Sequence, residues 1–203
     1  MPEEVADARR AAAVAARRLA TLLVTSACPA DELSTVADEL GRLAERLTPW
    51  SVGSRYALPV SCNDSSSLYM ETHPLLGQAS PMAPPLVSEP SGNGSVVTGV
   101  FDARYEGPPG LVHAGMVTFG FEFALGVAAA SSGSRAFSVS TTIRYRKPLR
   151  VGSAVRFEAE IDRIDGRKVF TKGALFAQGE LHAEATGVHV TVDDATWNAA
   201  RTP

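Results

Sequence analysis

The sequence predicts an α+β fold: a curved antiparallel sheet wrapped around one long central helix, with an N-terminal helical hairpin as an extension. The first observation is an almost entirely apolar run at 116–130, without proline. A helix that is apolar nearly all round is a buried one. The second observation is a set of four strand-like segments that follow this run. No further helix is predicted nearby, so the sheet itself has to cover the central helix.

The overall composition is typical of a globular protein and argues against two classes of partner. Of the 203 residues, 45% are hydrophobic and 20% are charged, and the formal net charge is −3. A general nucleic-acid binder needs an excess of basic residues, which this chain lacks. No apolar run approaches the ~20 residues of a membrane-spanning helix. We therefore expect neither a nucleic-acid partner nor a membrane partner.

The cysteines give no sign of a disulfide framework or a metal centre. Cys28 and Cys62 are far apart and belong to no Cys/His cluster. We expect no metal, no redox cofactor and a reducing compartment. The first residues, MPEEVADARR, lack the apolar core of a secretion signal, so a cytoplasmic location is expected.

Residues 1–49 are predicted to form the helical hairpin. Apolar residues recur at alternating spacings of three and four, which indicates one stripe on each helix. The stripes are Val5, Ala8, Ala12, Ala15, Leu19 and Leu22, and then Leu33, Val36, Leu40, Leu43 and Leu47. Pro29 would end the first helix, and Asp31 is a candidate cap for the second. We interpret the hairpin as a docking or oligomerisation element that packs on the main domain or on another subunit.

The remaining segments are assigned by their turn residues and their polar patterning. Arginines at 9, 10, 17 and 18 are interpreted as a solvated helix face. Residues 50–83 form an irregular, proline-rich linker, 84–193 form the strand-rich domain, and 194–203 form a tail. In the last strand the apolar phase slips from Ala183 and Ala185 to Val188 and Val190, so a bulge is expected at Gly187.

Two residues on the central helix carry the candidate chemistry. Gly115 lies where the helix should begin, and the first N–H groups of a helix have no internal partner. Such amides can polarise a carbonyl oxygen and hold an oxyanion. Glu122 is the only ionisable residue between His113 and Arg135. A carboxylate on so apolar a helix is costly unless it is paired or functional, and it could act as general base or nucleophile.

Structural alternatives exist for each of these residues. A lone histidine next to a glycine, such as His113, often serves only as a hydrogen-bonding residue of the loop. Glu122 could be a polar anchor bonded to a neighbouring subunit. Phe121 and Phe123 could raise the pKa of Glu122 by desolvation or could simply belong to the core.

Several short motifs occur in order along residues 82–193 and together resemble the PaaI-like branch of the hotdog-fold acyl-CoA thioesterases. His113-Ala114-Gly115 and Glu122 resemble an H-G-G loop with an acidic residue nine positions after the histidine. Ser138 and the Y-R-K-P sequence at 145–148 resemble the following strand. G-R-K at 166–168, A-P-P-L at 83–86 and Y-E-G-P-P-G at 105–110 also resemble that branch.

The resemblance implies a hydrolase that cleaves an acyl-CoA thioester into a free acid and CoA. It implies a homodimer or homotetramer with the active site at the subunit interface. By motif position, Glu122 would be the catalytic carboxylate and the Gly115 amide would polarise the thioester carbonyl. His113 would hold or orient the substrate, and Ser138 would orient the water or the carboxylate. The positions that contact CoA in relatives are occupied by Arg144, Arg146, Arg163, Arg167 and Lys168.

Other interpretations of the same residues remain open. The basic side chains suit CoA phosphates, but they could also form a solvated sheet edge that discourages aggregation. A non-catalytic hotdog protein that binds acyl-CoA, or that serves only in assembly, is the rival from another class. The rival enzyme is an acyl-CoA dehydratase, whose usual Asp and His motif is not seen in this sequence.

Overall fold

The structure is a computed structural model that describes residues 3–54, 71–75, 77–193 and 195–196. The chain divides into two compact units, residues 1–81 and residues 82–203. Most of the predicted linker and tail, and Cys62 with them, lie outside the described residues. Cys28 is a free thiol. Within the described ranges, no helix is both long enough and apolar enough to cross a bilayer.

The first unit contains the two predicted helices, α1 (Glu3–Thr25) and α2 (Ala30–Leu47), and a 3-10 turn at Thr48–Trp50. The expectation that Asp31 caps α2 is wrong, because the N-cap residue is Pro29 and no side chain caps this end. Asp31 lies inside the first turn, where its negative charge still interacts favourably with the helix dipole.

The covered face of α1 differs from the predicted stripe. The buried residues are Ala6 and Ala13. On the same face, the Arg10 guanidinium donates to Glu71 Oε2 at 3.1 Å, and Arg17 Nη1 donates to the Ser80 carbonyl at 2.8 Å. Of the four arginines interpreted as a solvated face, Arg9 and Arg18 are exposed, whereas Arg10 and Arg17 are half-exposed and have hydrogen-bond partners in this unit. The two arginines thus bind α1 to Glu71 and Ser80.

The second unit is one antiparallel sheet of six strands and one long helix, as predicted. In chain order its elements are β1 (Leu86–Ser91), β2 (Gly94–Val100), α3 (Ala114–Ala130), β3 (Ala136–Tyr145), β4 (Ala154–Asp165), β5 (Lys168–Ala177) and β6 (Glu180–Thr191). A 3-10 turn at Ala103–Tyr105 precedes the loop that leads to α3. The strand order is β1-β2-β4-β5-β6-β3, so β3 is an edge strand.

The core of this unit lies between α3 and the inner face of the sheet. Phe121 on α3 and Phe157 on β4 are fully buried and meet edge to face, with ring centroids 5.1 Å apart. Gly120 lies against the same Phe157 ring, so closely that a Cβ at this position would collide with it. The predicted burial of the central helix by the sheet is therefore confirmed.

The pairing of β6 is irregular at two places, and neither is where the sequence placed the bulge. His182 is an extra residue of β6 opposite Leu175 and Phe176 of β5. Val139 is an extra residue of β3, because Ser138 pairs with His189 and Ser140 with Val188. Gly187 lies in regular register, so the prediction of a bulge there is wrong. Gly187 is small for another reason: a Cβ would lie 2.6 Å from Thr171 Oγ1 and 2.9 Å from His189 Nε2.

Candidate active site

The side chain of His113 caps the N-terminus of α3. His113 is the N-cap residue, and its Nδ1 accepts a hydrogen bond from the Gly115 N–H at 3.0 Å. The His113 carbonyl accepts another from the Met116 N–H at 2.8 Å. The amide expected to polarise a carbonyl therefore donates to the capping histidine, and His113 does act as a hydrogen-bonding residue of the loop.

Glu122 lies half-buried on α3 between two core side chains. Phe121 and Phe123 are 0% and 4% exposed, so both belong to the core. The Thr141 hydroxyl on β3 donates a short hydrogen bond to Glu122 Oε1. An ionised carboxylate has roughly four acceptor sites. Thr141 therefore orients the carboxylate while leaving it capacity to bind a water or a substrate.

The hydroxyl predicted by the motif, that of Ser138, lies against a different side chain. Ser138 Oγ is 3.4 Å from His189 Nδ1, and His189 Nε2 is 2.9 Å from Thr171 Oγ1. His189 is 2% exposed. Burial holds the pKa of His189 below its ordinary value, while the negative charge of Glu122 acts in the opposite direction. The structure thus places Thr141 on Glu122, and Ser138 on a buried imidazole.

Tyr145 links the end of β3 to the first turn of α3. Its hydroxyl donates to the Ala114 carbonyl at 3.2 Å and lies 3.0 Å from Thr118 Oγ1. A cavity of about 340 Å³ opens beside this turn, lined in part by Val112, Ala114, Tyr145 and His182. The helix N-terminus is therefore accessible from a partly apolar cavity.

Gly115 and Glu122 lie on the same face of α3 but too far apart to act together within one chain. Seven residues separate them, which corresponds to almost two full turns and about 10 Å along the axis. Phe119 and Gly126 share this face, and all four residues retain partial or full exposure. One small group bound at Gly115 therefore lies out of reach of the Glu122 of the same chain.

Two of the predicted CoA contacts lie on the sheet face that points away from α3. Arg144 lies between Ile143 and Tyr145 on β3, and Arg146 follows directly after the strand. Arg146 forms an ion pair with Glu184 at 2.6 Å. Both arginines line a groove of about 680 Å³, which also contains Arg156, Lys172, Glu158 and Glu160. Within this chain, therefore, they are separated from Glu122 by the sheet.

The other three basic residues lie at the turn between β4 and β5. The Arg163 guanidinium stacks on the Phe170 ring, 3.6 Å from its centroid, and pairs with Asp162 at 3.3 Å. Arg167 Nε donates to the Thr191 carbonyl at 3.2 Å. Lys168 is exposed. This turn is a second basic region, distinct from the one on β3.

The described residues contain no group of three His, Cys, Asp or Glu side chains that could hold a metal ion. The site thus consists of a carboxylate, hydroxyls and helix amides. The sequence assigns no role to Thr141, Tyr145, Thr171 or His189. The bulge at Val139 changes which residues of β3 point toward α3, and a regular alternation gives no signal for it.

Part of the second unit is similar in sequence to known proteins. Residues 109–183 match the model of the Thioesterase superfamily. The chain is 30% identical over 87 residues to the acyl-coenzyme A thioesterase THEM4 of Xenopus laevis. This aligned region covers 42% of this chain and 39% of that protein. The chain thus spans about two fifths of the length of the curated relatives that it matches.

Solved structures extend the likeness to the fold. A crystal structure described as a thioesterase superfamily protein has a TM-score of 0.76 and 28% identity, covering 90% of this chain and 94% of that chain. A mutant form of the phenylacetic acid degradation protein PaaI of Thermus thermophilus has a TM-score of 0.50 and 23% identity, over 53% of this chain and 93% of that one. Residues 109–183 therefore resemble the thioesterase superfamily in sequence, and the unit that contains them has the hotdog fold that the sequence predicted.

Proposed function

We propose that this protein hydrolyses an acyl-CoA thioester to a free acid and CoA. The observation that carries the proposal is Glu122, a half-buried carboxylate on an apolar helix, oriented by a hydroxyl and directed to the partly exposed face of α3. The name of the THEM4 relative supports the same substrate class.

The reaction needs two chains, because Gly115 and Glu122 of one helix lie about 10 Å apart. In the proposed homodimer, the Gly115 amide of one copy polarises the thioester carbonyl and Glu122 of the other copy acts on it. The edge strand β3 supports this assembly, since Phe137 and Val139 are exposed on it. A homotetramer built from two such dimers would contain the same site.

Glu122 has two chemical routes to the same products. As a general base it takes a proton from water, and the hydroxide adds to the thioester carbon. As a nucleophile it forms a mixed anhydride that water then hydrolyses. In both routes the carbon–sulfur bond breaks, CoA leaves as a thiolate and is protonated, and the acyl group leaves as an acid.

The hydrogen bond between the Gly115 N–H and His113 has to break before this amide can bind a substrate. The Gly115 N–H has to exchange His113 Nδ1 for the thioester oxygen when substrate binds. The released imidazole of His113 is then placed to hold the substrate. Ser138 has a supporting role in this proposal, because its hydroxyl lies against His189 and not against Glu122.

The phosphates of CoA have two candidate binding regions. Arg144 has no ion-pair partner within the described part of the chain, whereas Arg146 is paired with Glu184. At the β4–β5 turn, Arg163 and Arg167 have local partners and Lys168 is exposed. We therefore assign the phosphates first to Arg144 and Lys168, with Arg146, Arg163 and Arg167 as neighbouring positive charges.

The test is thiol release from a panel of acyl-CoAs, measured with a thiol-reactive dye. Glu122→Gln keeps the shape of the side chain but removes its basicity, so we expect a loss of at least about a hundredfold in kcat. The matched control is Glu184→Gln, on the opposite face of the sheet, which should retain kcat. Full activity in the Glu122→Gln variant would contradict the assignment.

Thr141→Val provides a graded version of this test. Loss of a hydrogen bond to a charged group costs about 1.5–3 kcal/mol, so kcat should fall roughly 10- to 100-fold. Thr142→Val, at the neighbouring outward-facing position, is the control and should behave like the wild type. Equal effects of the two substitutions would show that Thr141 does not orient the carboxylate.

A CoA-binding protein without hydrolysis is the second candidate. The observation that favours it is the Gly115 amide, which already donates to His113. Calorimetry with CoA alone separates the two candidates. Binding of CoA without turnover of any acyl-CoA, aryl or aliphatic, would favour the binding protein.

A further inference from the structure

The apolar stripe of α2 is largely open to solvent: Leu33, Leu43, Leu47 and Trp50 are exposed, and Val36 and Leu40 are half-buried. No residue of α2 is buried, and Leu43 and Leu47 are 50% and 71% exposed. The 3-10 turn that follows continues the stripe to Trp50, because residues three apart in such a turn lie on the same side. Nothing in the described part of the chain buries this stripe.

The spacing of the stripe is that of a coiled-coil seam. Leu33, Leu40 and Leu47 repeat every seven residues, and Val36, Leu43 and Trp50 repeat every seven in the other core position. A strip only two residues wide in seven is narrower than the face that a helix presents to a globular core. Such a seam fits another helix with the same repeat.

The positions beside the seam distinguish the ways in which two copies could pair. On one flank lie Glu39 and Arg46, and on the other lie Ala37 and Ala44. In a parallel pair, charges would face alanines. In an antiparallel pair, Leu40 meets Leu43 of the second copy, and Glu39 lies beside Arg46 of the second copy, twice by symmetry. Only the antiparallel arrangement brings opposite charges together.

We propose that α2 pairs with α2 of a second copy of this chain as an antiparallel two-helix coiled coil. Its core layers are Leu40 with Leu43, Val36 with Leu47 and Leu33 with Trp50, each formed twice. The small side chains of Ala37 and Ala44 let the helices approach closely on one flank. The pairing does not depend on the hydrolase activity, so either proposal can fail without the other.

Distances between spin labels test the pairing in the full chain. Both native cysteines are replaced (Cys28→Ser and Cys62→Ser), and one label is attached through Arg42→Cys or Asp31→Cys. Around a two-fold axis between residues 41 and 42, the axial separation is about 2 Å for position 42 and about 30 Å for position 31. We therefore expect a short distance for the first label and a much longer one for the second.

Charge reversal tests the identity of the partner. Glu39→Arg should weaken the association on the order of tenfold, because two attractions become two repulsions. The short-distance fraction of the position-42 label should fall with it. Glu39→Arg combined with Arg46→Glu should restore this fraction. Glu45→Arg, on the outward side of α2, is the matched control and should have no effect.

Two results would overturn the proposal. Equal distances for the two labels would indicate parallel helices. A position-42 distance that is absent, or that ignores the Glu39→Arg exchange, would mean that the stripe is covered by another part of the chain or by a different protein. Circular dichroism of each variant checks that α2 remains helical, so that a loss of pairing is not a loss of the helix.

Discussion

The two helices α3 and α2 bury their apolar residues in opposite ways. On α3, eight of 17 residues are buried, and the curved sheet of the same chain covers them. On α2, none of 18 residues is buried, although leucines repeat along one side. A helix that is apolar on all sides can be buried within its own chain. A narrow apolar stripe on an otherwise polar helix suits packing against one other helix. The comparison suggests a rule: the width of the apolar surface on a helix predicts whether it packs inside its own chain or against a second copy of the chain, as proposed for α2.

The largest expected difference between the two helices is the loss of stability caused by replacing a large apolar side chain with alanine. Phe157→Ala removes the fully buried ring against which α3 packs, and it should lower the free energy of unfolding by about 3–5 kcal/mol. Leu43→Ala on α2 removes a half-exposed side chain and should cost less than about 1 kcal/mol in a protein dilute enough to be unassociated. Urea denaturation of the two variants measures both values.

A second comparison uses two glycines of α3 itself. Gly120→Ala places a methyl group on the Phe157 ring and should lower the free energy of unfolding by about 1–3 kcal/mol. Gly126→Ala places its methyl group more than 4 Å from any neighbour among the described residues and gains helix propensity, so it should raise that free energy by up to about 1 kcal/mol. Both variants gain the same propensity, and their difference therefore isolates the contact.

Thermal or urea unfolding at several protein concentrations checks this pair. If Gly126→Ala proved destabilising, the methyl group would have to collide with something that covers the open face of α3. A second copy of the chain would be the first candidate, and the effect would then depend on concentration. Equal destabilisation by both substitutions at every concentration would contradict the packing described for Gly120.

The architecture could be predicted from the sequence because it depends on pattern. The apolar run of α3 and the strand-like segments that follow it each report a local preference that the fold then uses. The family resemblance added the position of Glu122. None of these signals depends on contacts between distant residues, and this is why the helices, the strands and the central carboxylate can be assigned to their elements from the sequence.

The details of the site could not be predicted because one extra residue determines them. Val139 bulges out of β3 and shifts the alternation that begins at Ser138. The shift directs Thr141 toward Glu122 and Arg144 away from it. A bulge of this kind is fixed by pairing with β6, so its position depends on contacts about 50 residues away. A prediction by simple alternation would therefore orient the rest of this strand incorrectly.

The burial of His189 could not be predicted from the sequence either. The apolar pattern predicts Val188, Val190 and Val192 as the inward residues of β6, because valine is apolar. The structure instead places the imidazole inside, where hydroxyls of Ser138 and Thr171 satisfy both ring nitrogens. A buried histidine between two hydroxyls carries no hydrophobic signal in the sequence. Only the absence of a side chain at Gly187, which leaves room for the ring, is visible there.

The buried imidazole of His189 predicts a dependence of stability on pH. Burial holds the pKa of His189 below its ordinary value near 6.5, so the unfolded chain binds a proton more readily than the folded one. The contribution of the neutral His189 to the stability of the folded state is therefore fully present above about pH 6.5, and it is lost as the pH falls below that value. The slope from this one group is at most about 1.4 kcal/mol per pH unit. Urea denaturation from pH 5 to 8 measures it.

His189→Asn should flatten the dependence between pH 5 and pH 6.5, because asparagine can bond to the same hydroxyls but does not titrate there. A slope that His189→Asn leaves unchanged would place the titrating group outside the core between β3, β5 and β6.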